Sequence, residues 1–302
     1  MKPTSSILTV VLTVIPFSFL LFILPRDLYA QTEPTSPKTE INLRLMSFNI
    51  RNGRAKDGVN QWENRKDFVC DVIKDNSPDI VGLQEAFHFQ LEYILEKLPD
   101  YKFVGVGRDG GKQGEYSAIL YLEERFNVKK SETFWLSDTP EKKSRSWGNR
   151  YFRICTWTRL EDKRTRRSFD IFNTHFDHQS QNARIRSAAL IAKRIANRTS
   201  PAPFVLMGDL NAGEDNEVVR YLKGKSKQAN SPVQLKDTYR VLHPNEKKVG
   251  TGGGFGGRTD GPKIDYILVP DSVRAKAASI IRIQRSGKFP SDHFPVFATL
   301  EF

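Results

Sequence analysis

The chain has 302 residues, 38% hydrophobic and 11% aromatic, which is enough apolar material to bury one large core and, by length alone, two. A formal charge of +12 with a pI near 9.6 favours polyanionic partners (nucleic acid, phosphorylated substrates or an anionic membrane surface), although a basic secreted protein has the same balance. Two cysteines, Cys70 and Cys155, exclude a disulfide framework and show no metal-binding spacing, and both read as small buried residues.

The first segment reads as a targeting sequence. Lys2 supplies a short positive region, residues 7–24 are almost entirely apolar, and Leu28-Tyr29-Ala30 before Gln31 resembles a small-residue cleavage site. Residues 1–30 are therefore expected to be a signal peptide of a secreted or periplasmic protein. The alternative is an uncleaved anchor that contacts the membrane through residues 7–24 and leaves the protein facing outside. No cysteine follows the apolar run, which argues against lipid modification. Residues 31–40, with two prolines, read as a linker, and residues 41–302 as one catalytic domain, expected to be monomeric.

Period and punctuation then predict the elements. The run Leu45–Asn49 is strand-like, and a polar loop from Arg51 to Asn60 follows. Glu63 to Lys74 places Phe68, Val69, Val72 and Ile73 on one helical face, stopped by Asn76-Ser77-Pro78. A strand over Asp79–Glu85 leads to a helix over Phe89–Leu98. Lys102–Gly107, Tyr116–Tyr121, Asn127–Phe134, Arg153–Glu161 and Arg167–Thr174 have strand character, Ala183–Asn197 is helical, and Phe204–Asn211 and Lys263–Val269 are strands. Long strands among helices predict an α/β sandwich of two packed sheets.

Packing explains the apolar residues of these strands but not the polar ones where they emerge, and polar groups repeated at strand ends point to one shared site. Glu85 would sit at a sheet edge where a hard divalent cation could meet it; a solvated carboxylate is the simpler reading of that residue alone. In Gly208-Asp209-Leu210-Asn211, strand alternation directs Asp209 and Asn211 to one side, and the glycine permits close approach; a helix-capping turn is the alternative. Asp292-His293 pairs a carboxylate with an imidazole. Asp265, inside an apolar strand, needs an imidazole or a metal as partner.

Ser47-Phe48-Asn49, Leu83-Gln84-Glu85, Asn173-Thr174-His175, Gly208-Asp209-Leu210-Asn211, Ile264-Asp265-Tyr266 and Ser291-Asp292-His293, in this order, closely resemble the endonuclease/exonuclease/phosphatase superfamily, in its exported bacterial branch. The resemblance runs from about Leu43 to Phe302. It implies a four-layer α/β sandwich, two packed mixed sheets flanked by helices, and a Mg²⁺- or Mn²⁺-dependent hydrolase of phosphate esters. It further implies that Glu85 binds the metal with help from Asn49, and that Asp209 and Asn211 hold the attacking water or a second metal. His175 would contact a phosphate oxygen, Asp265 would orient His293, and Asp292 would lie near the metal. Glu115 is similar to a glutamate that pairs with the strand histidine in the deoxyribonuclease branch.

Around this set, Arg153, His178 and Arg184 could meet an anionic substrate, or be surface and capping residues. Arg145 to Arg153 mixes cations with aromatics, which would suit a phosphate flanked by a stackable or apolar group, with a basic surface loop as the alternative, and Trp62, Arg65 and the Arg51 to Asn60 loop are expected in an opposite wall. Gly250 to Gly257, where exported relatives carry a Thr-Phe-His-Gly-Phe-like segment, reads as a mobile or backbone-exposed loop, leaving Phe255 as a substrate contact. A phosphodiesterase or nuclease is the first expectation. A phosphomonoesterase or lipid-headgroup phosphodiesterase is the alternative, and a non-catalytic binder of phosphorylated ligands is the competing class.

Overall fold

Among the described residues of this computed structural model, 8–9, 11–13 and 41–302, twelve strands form two six-stranded sheets. The first has the order β11 (Arg274–Ile280), β12 (Val296–Glu301), β1 (Asn42–Asn49), β2 (Ile80–Ala86), β4 (Tyr116–Leu122), β3 (Tyr101–Val104). The second runs β5 (Phe126–Trp135), β6 (Ile154–Asp162), β7 (Ser168–His175), β8 (Phe204–Asp209), β10 (Asp265–Val269), β9 (Lys236–Asp237). The pairs β1–β2 and β7–β8 are parallel and the other neighbours antiparallel, so both sheets are mixed.

β1 is buried without a break from Leu45 to Asn49 because both of its faces are covered there. Leu43 and Leu45 pack between the sheets with Ile80, Ile171, Val205 and Ile267, whereas Met46 and Phe48 lie on the outer face. Helices α1 (Lys66–Asn76) and α2 (His88–Lys97) cover that outer face through Val69, Val72, Leu91 and Ile94. On the other side α3 (Gln181–Ala196) and α4 (Glu217–Leu222) cover the second sheet through Ile191, Ile195, Val218 and Leu222. Helix, sheet, sheet and helix make the four layers.

The expected boundaries shift where side chains cap. Glu63 lies in a 3-10 turn, and α1 starts at Lys66; α3 starts at Gln181, because the Ser180 hydroxyl accepts from the Ala183 amide. β11 and β12 are additions to the expected strands, and β12 lies inside the first sheet against β1. Cys70 and Cys155 are both buried and unpaired. Residues Thr39–Phe302 cluster as one compact unit. The expected signal peptide and linker fall almost wholly outside the described residues; among the described ones no helix is long and apolar enough to cross a membrane.

Candidate active site

Strand direction brings the polar residues together. β1 and β2 run parallel and β12 antiparallel to β1, so Asn49, Glu85 and the segment before β12 meet at one end of the first sheet. In the second sheet His175 lies beside Asp209, and Asp265 is directly opposite Asp209. Gly208 (φ 145°) makes the β7–β8 contact possible: a Cβ there would stand 2.0 Å from the Thr174 carbonyl oxygen. These ends open on a cleft of about 420 Å³.

Three non-glycine residues at the cleft have left-handed backbones, Arg51 (φ 60°), Glu85 (φ 61°) and Asn211 (φ 47°). Each conformation costs on the order of 1 kcal/mol or more and persists only where the surroundings enforce it. Glu85 sits in a bulge of β2 against β4, an interior position of the sheet; the expected sheet edge is corrected to the end of a central strand. Asn211 lies beyond β8, which ends at Asp209, so a turn and not strand alternation aims it at the cleft.

A hydrogen-bond network fixes the groups. Asn49 Nδ2 donates to Glu85 Oε1 (3.2 Å) and Asp209 Oδ2 (3.0 Å), while its Oδ1 accepts from the Arg51 amide (3.0 Å). Asn49 thus stands behind the cleft as a bridge between the two carboxylates. Asn211 Nδ2 donates to the Phe176 carbonyl (3.0 Å) and to His175 Nε2 (3.0 Å). Since a carbonyl can only accept, the amide orientation is determined, and Asn211 Oδ1 is left for the cleft. Burial, then the nearby Arg153 and His293, push His175 well below its ordinary value, so its imidazole is neutral.

Asp265 Oδ2 accepts from His293 Nδ1 at 3.0 Å. Burial opposes the imidazolium, but the carboxylates of Asp265, Asp209 and Asp292 together outweigh it and raise His293 well above its usual range. Burial, then the charge of Asp265, push Asp209 up to about 7. Of the two readings of the glycine-rich segment, the exposed backbone holds at Gly252, Gly254 and Gly256, while hydrogen bonds tie the segment to its neighbours. Thr251 Oγ1 accepts from the Ile264 and Asp265 amides, the Thr251 carbonyl from Phe294, and the Asp292 carbonyl from Gly254.

Of the residues expected in the site, Glu85, Glu115, Arg153, His175, His178, Asp209, Asn211, Asp292 and His293 line the cleft, and Asn49 and Asp265 support it from behind. Glu115 does not pair with the strand histidine: its carboxylate accepts from Arg108 Nη1 (2.5 Å) and Asn52 Nδ2 (2.9 Å). Arg184 sits at the helix start as expected but outside the cleft lining, its guanidinium held by the Asp177 carbonyl (2.8 Å) and Gln181 Oε1 (2.7 Å). Phe255 also lies outside the lining, with the Arg65 guanidinium 5.7 Å from its ring centre. Trp62 and Arg65 are buried supports and not a wall. Asn52 of the expected Arg51–Asn60 wall and Tyr151 of the Arg145–Arg153 segment do line the cleft, whereas sequence reading missed Arg108, which no periodicity or spacing marks.

Arg153 is only 4% exposed, yet it lines the cleft with Nη2 against His178 Nδ1 (3.2 Å) and a buried Nε that has no hydrogen-bond partner. The donor set also suits a divalent cation. Asp209, Asp265 and His293 bring ligand atoms within 4.8 Å of one another, and buried Asp265 Oδ1 lacks a hydrogen-bond partner. Glu85, Asp292 and Asn211 Oδ1 add hard oxygens from the cleft walls.

A two-sheet sandwich with clustered carboxylates and imidazoles at its strand ends defines a hydrolase of phosphoric esters. The chain belongs to the endonuclease/exonuclease/phosphatase family, whose model matches residues 46–293 and whose members generally depend on a divalent metal. An uncharacterized protein of Acanthamoeba polyphaga mimivirus is 28% identical over 238 residues, 75% of this chain and 87% of its own. Rat (Rattus norvegicus) nocturnin is 26% identical over 285 residues, 84% of this chain and 63% of its own length, so the chain spans less than two thirds of that relative. The solved structure of a mannosyl-6-phosphatase from Bacteroides thetaiotaomicron is 32% identical with a TM-score of 0.76, covering 86% of this chain and 100% of the other.

Proposed function

We propose that the chain is an exported, Mg²⁺- or Mn²⁺-assisted phosphatase of a small phosphorylated molecule, with a sugar phosphate monoester as the favoured class. The observation that carries this reading is the buried, under-bonded Arg153 opening with Arg51, Arg108 and His178 onto a concave cleft of about 420 Å³. That volume suits a small ligand, and the converging donors suit a doubly charged terminal phosphate. Likeness to the mannosyl-6-phosphatase supports the substrate class.

Glu85, Asp209, Asn211 Oδ1 and Asp292 would hold the cation, which supplies Lewis acidity and lowers the pKa of a bound water. Asp209 orients the attacking water, and its bond from Asn49 keeps the carboxylate in place. Asp265 holds His293 by Nδ1, leaving Nε2 for a phosphate oxygen. Asn211 Nδ2, which donates to the Phe176 carbonyl and to His175 Nε2, fixes the neutral imidazole beside Asp209. Arg153, His178 and Arg108 bind the charge and hydroxyls of the substrate.

The test compares the full chain on p-nitrophenyl phosphate, a set of hexose 6-phosphates and bis(p-nitrophenyl) phosphate, with and without chelator, and with Asp209→Ala as control. Monoester turnover lost on chelation and in the variant supports the proposal. Diester turnover alone would replace it with a phosphodiesterase or nuclease, the reading that the +12 charge favours through phosphate contacts. Absence of turnover on every ester would favour a binder. A mature chain beginning near Gln31 outside the cytoplasm supports export, and full-length chain in the membrane fraction would show a retained anchor.

A further inference from the structure

A second cavity, of about 450 Å³, opens between α3 and the outer face of β5, β6 and β7. Strand register builds its floor. Glu132 pairs across to Trp157 and Trp157 to Phe172, while Lys130 pairs to Arg159 and Arg159 to Asp170. The apolar floor is Phe134, Trp157 and Phe172, with Leu190 of α3 beside it. None of its lining residues lines the catalytic cleft.

Its rim is strongly basic. Lys130, Arg159, Lys193, Arg194 and Arg198 face one lining carboxylate, Glu132. Arg159 and Arg198 share the buried Asp170, and Arg194 holds Glu132 at 2.7 Å while covering the Phe134 ring at 4.1 Å. Lys130 and Lys193 are exposed on the rim, so the charge surplus faces solvent. Around the Trp157 ring stand Lys130 at 5.5 Å, Arg159 at 5.8 Å and Phe172 at 6.2 Å, and the ring is still partly exposed to the groove. Its indole N–H is buried without an acceptor.

We infer that this groove is a second ligand site for a monomeric anionic amphiphile, an alkyl chain beneath one carboxylate or phosphate head. The chain lies along Trp157 and Leu190, the partly exposed apolar side chains above buried Phe134 and Phe172, and the head lies between Lys130 and Lys193. Apolar walls with a few convergent polar groups are the usual make-up of a small-molecule site, and the volume falls in that range. A flat bilayer surface would meet the basic rim and miss the recessed floor, which favours a single amphiphile.

Calorimetric titration of the full chain with dodecanoate and with dodecyl phosphate, below their micellar concentrations, tests the inference. One saturable site is expected, weakened on the order of tenfold or more by Lys130→Glu with Lys193→Glu, both exposed and remote from the cleft. Ester hydrolysis should be unchanged in that variant, and Asp209→Ala should bind the amphiphile as the parent does. Neutral dodecyl maltoside should bind at least tenfold more weakly. No saturable binding, binding indifferent to the double charge reversal, or binding lost in Asp209→Ala would overturn it. So would binding confined to anionic vesicles or to a single-stranded oligonucleotide.

Discussion

Gln84 of β2 and Asn173 of β7 meet between the two sheets, Gln84 Nε2 donating to Asn173 Oδ1 at 2.7 Å. Asn173 Nδ2 in turn donates to the Leu83 (2.9 Å) and Ala118 (2.8 Å) carbonyls of the opposite sheet. Glu85 follows Gln84, and His175 lies two residues beyond Asn173, so this buried tie sets how far the carboxylate stands from the imidazole. Apolar packing between sheets is tolerant of sliding; directional hydrogen bonds are not.

Asn173→Leu should therefore lower stability by about 3 kcal/mol, since the buried Leu83 and Ala118 carbonyls lose the amide that donates to them and Gln84 Nε2 keeps only Ser47 Oγ and the Gly82 carbonyl. Urea unfolding measures it. A loss below about 1 kcal/mol would mean that the sheets are held in register by side-chain packing alone.

Asp209→Asn separates stability from catalysis. Asp209 is 1% exposed, and its carboxylate is opposed by that of Asp265. Removing the charge should reduce turnover on the order of 10²-fold or more while leaving the metal-free protein as stable or more so. Paired kinetics and thermal unfolding in chelator check both halves; a marked drop in melting temperature would contradict the second.

Arg65 holds the cleft from beneath. Its guanidinium donates to the carbonyls of Ile50 (2.5 Å), Arg51 (3.1 Å), Asn60 (2.9 Å) and Pro290 (3.0 Å), joining the end of β1 to the segment that carries Asp292. Burial lowers its pKa to about 10, still far above neutrality, so the side chain stays charged. Arg65→Met should cost about 2–4 kcal/mol and reduce kcat, and Arg65→Lys should recover only part of either, because one ammonium cannot span four carbonyls. Equal stability and kcat in Arg65→Lys and the parent protein would refute the staple.

Acid should release the turn at Asp162. Burial opposes ionisation there, but the Thr165 and Arg164 amides and Arg125 outweigh it, holding the carboxyl below the usual carboxylate range. A depressed folded-state value means that the stabilisation is complete above the unfolded value of about 3.9 and vanishes as pH falls through the folded one. The stability gap between the parent and Asp162→Asn should be constant near neutrality and shrink below about pH 4. A gap independent of pH would contradict this sign.

Several elements were legible because buried strands demand apolar residues, so Glu85, His175 and Asp209 stood out as chemistry that packing does not require. β12 was not: Val296 to Glu301 alternates over a short run, and its place inside the first sheet depends on pairing with β1 about 250 residues away in sequence. Arg184 and Phe255 lie near His175 and Asp265 along the chain, but a helix start and a tight glycine turn direct them elsewhere. Arg108 reaches the cleft from a loop that carries no periodic signal, whereas Tyr151 belongs to a segment whose mix of cations and aromatics marked it.

By itself the sequence determined which strands are buried, that their ends carry acids, amides and imidazoles, and that their order resembles one family of phosphoesterases. These follow from local composition, since burial of each residue type is decided by its own solvation. Only the tertiary structure decided that Asn49 bridges Glu85 and Asp209, that Glu115 serves Arg108 and Asn52, and that Arg153 lines the cleft with its Nε 3.9 Å from Asp177. Those relations rest on hydrogen bonds between residues distant in sequence, whose directions are set when the two sheets close on each other.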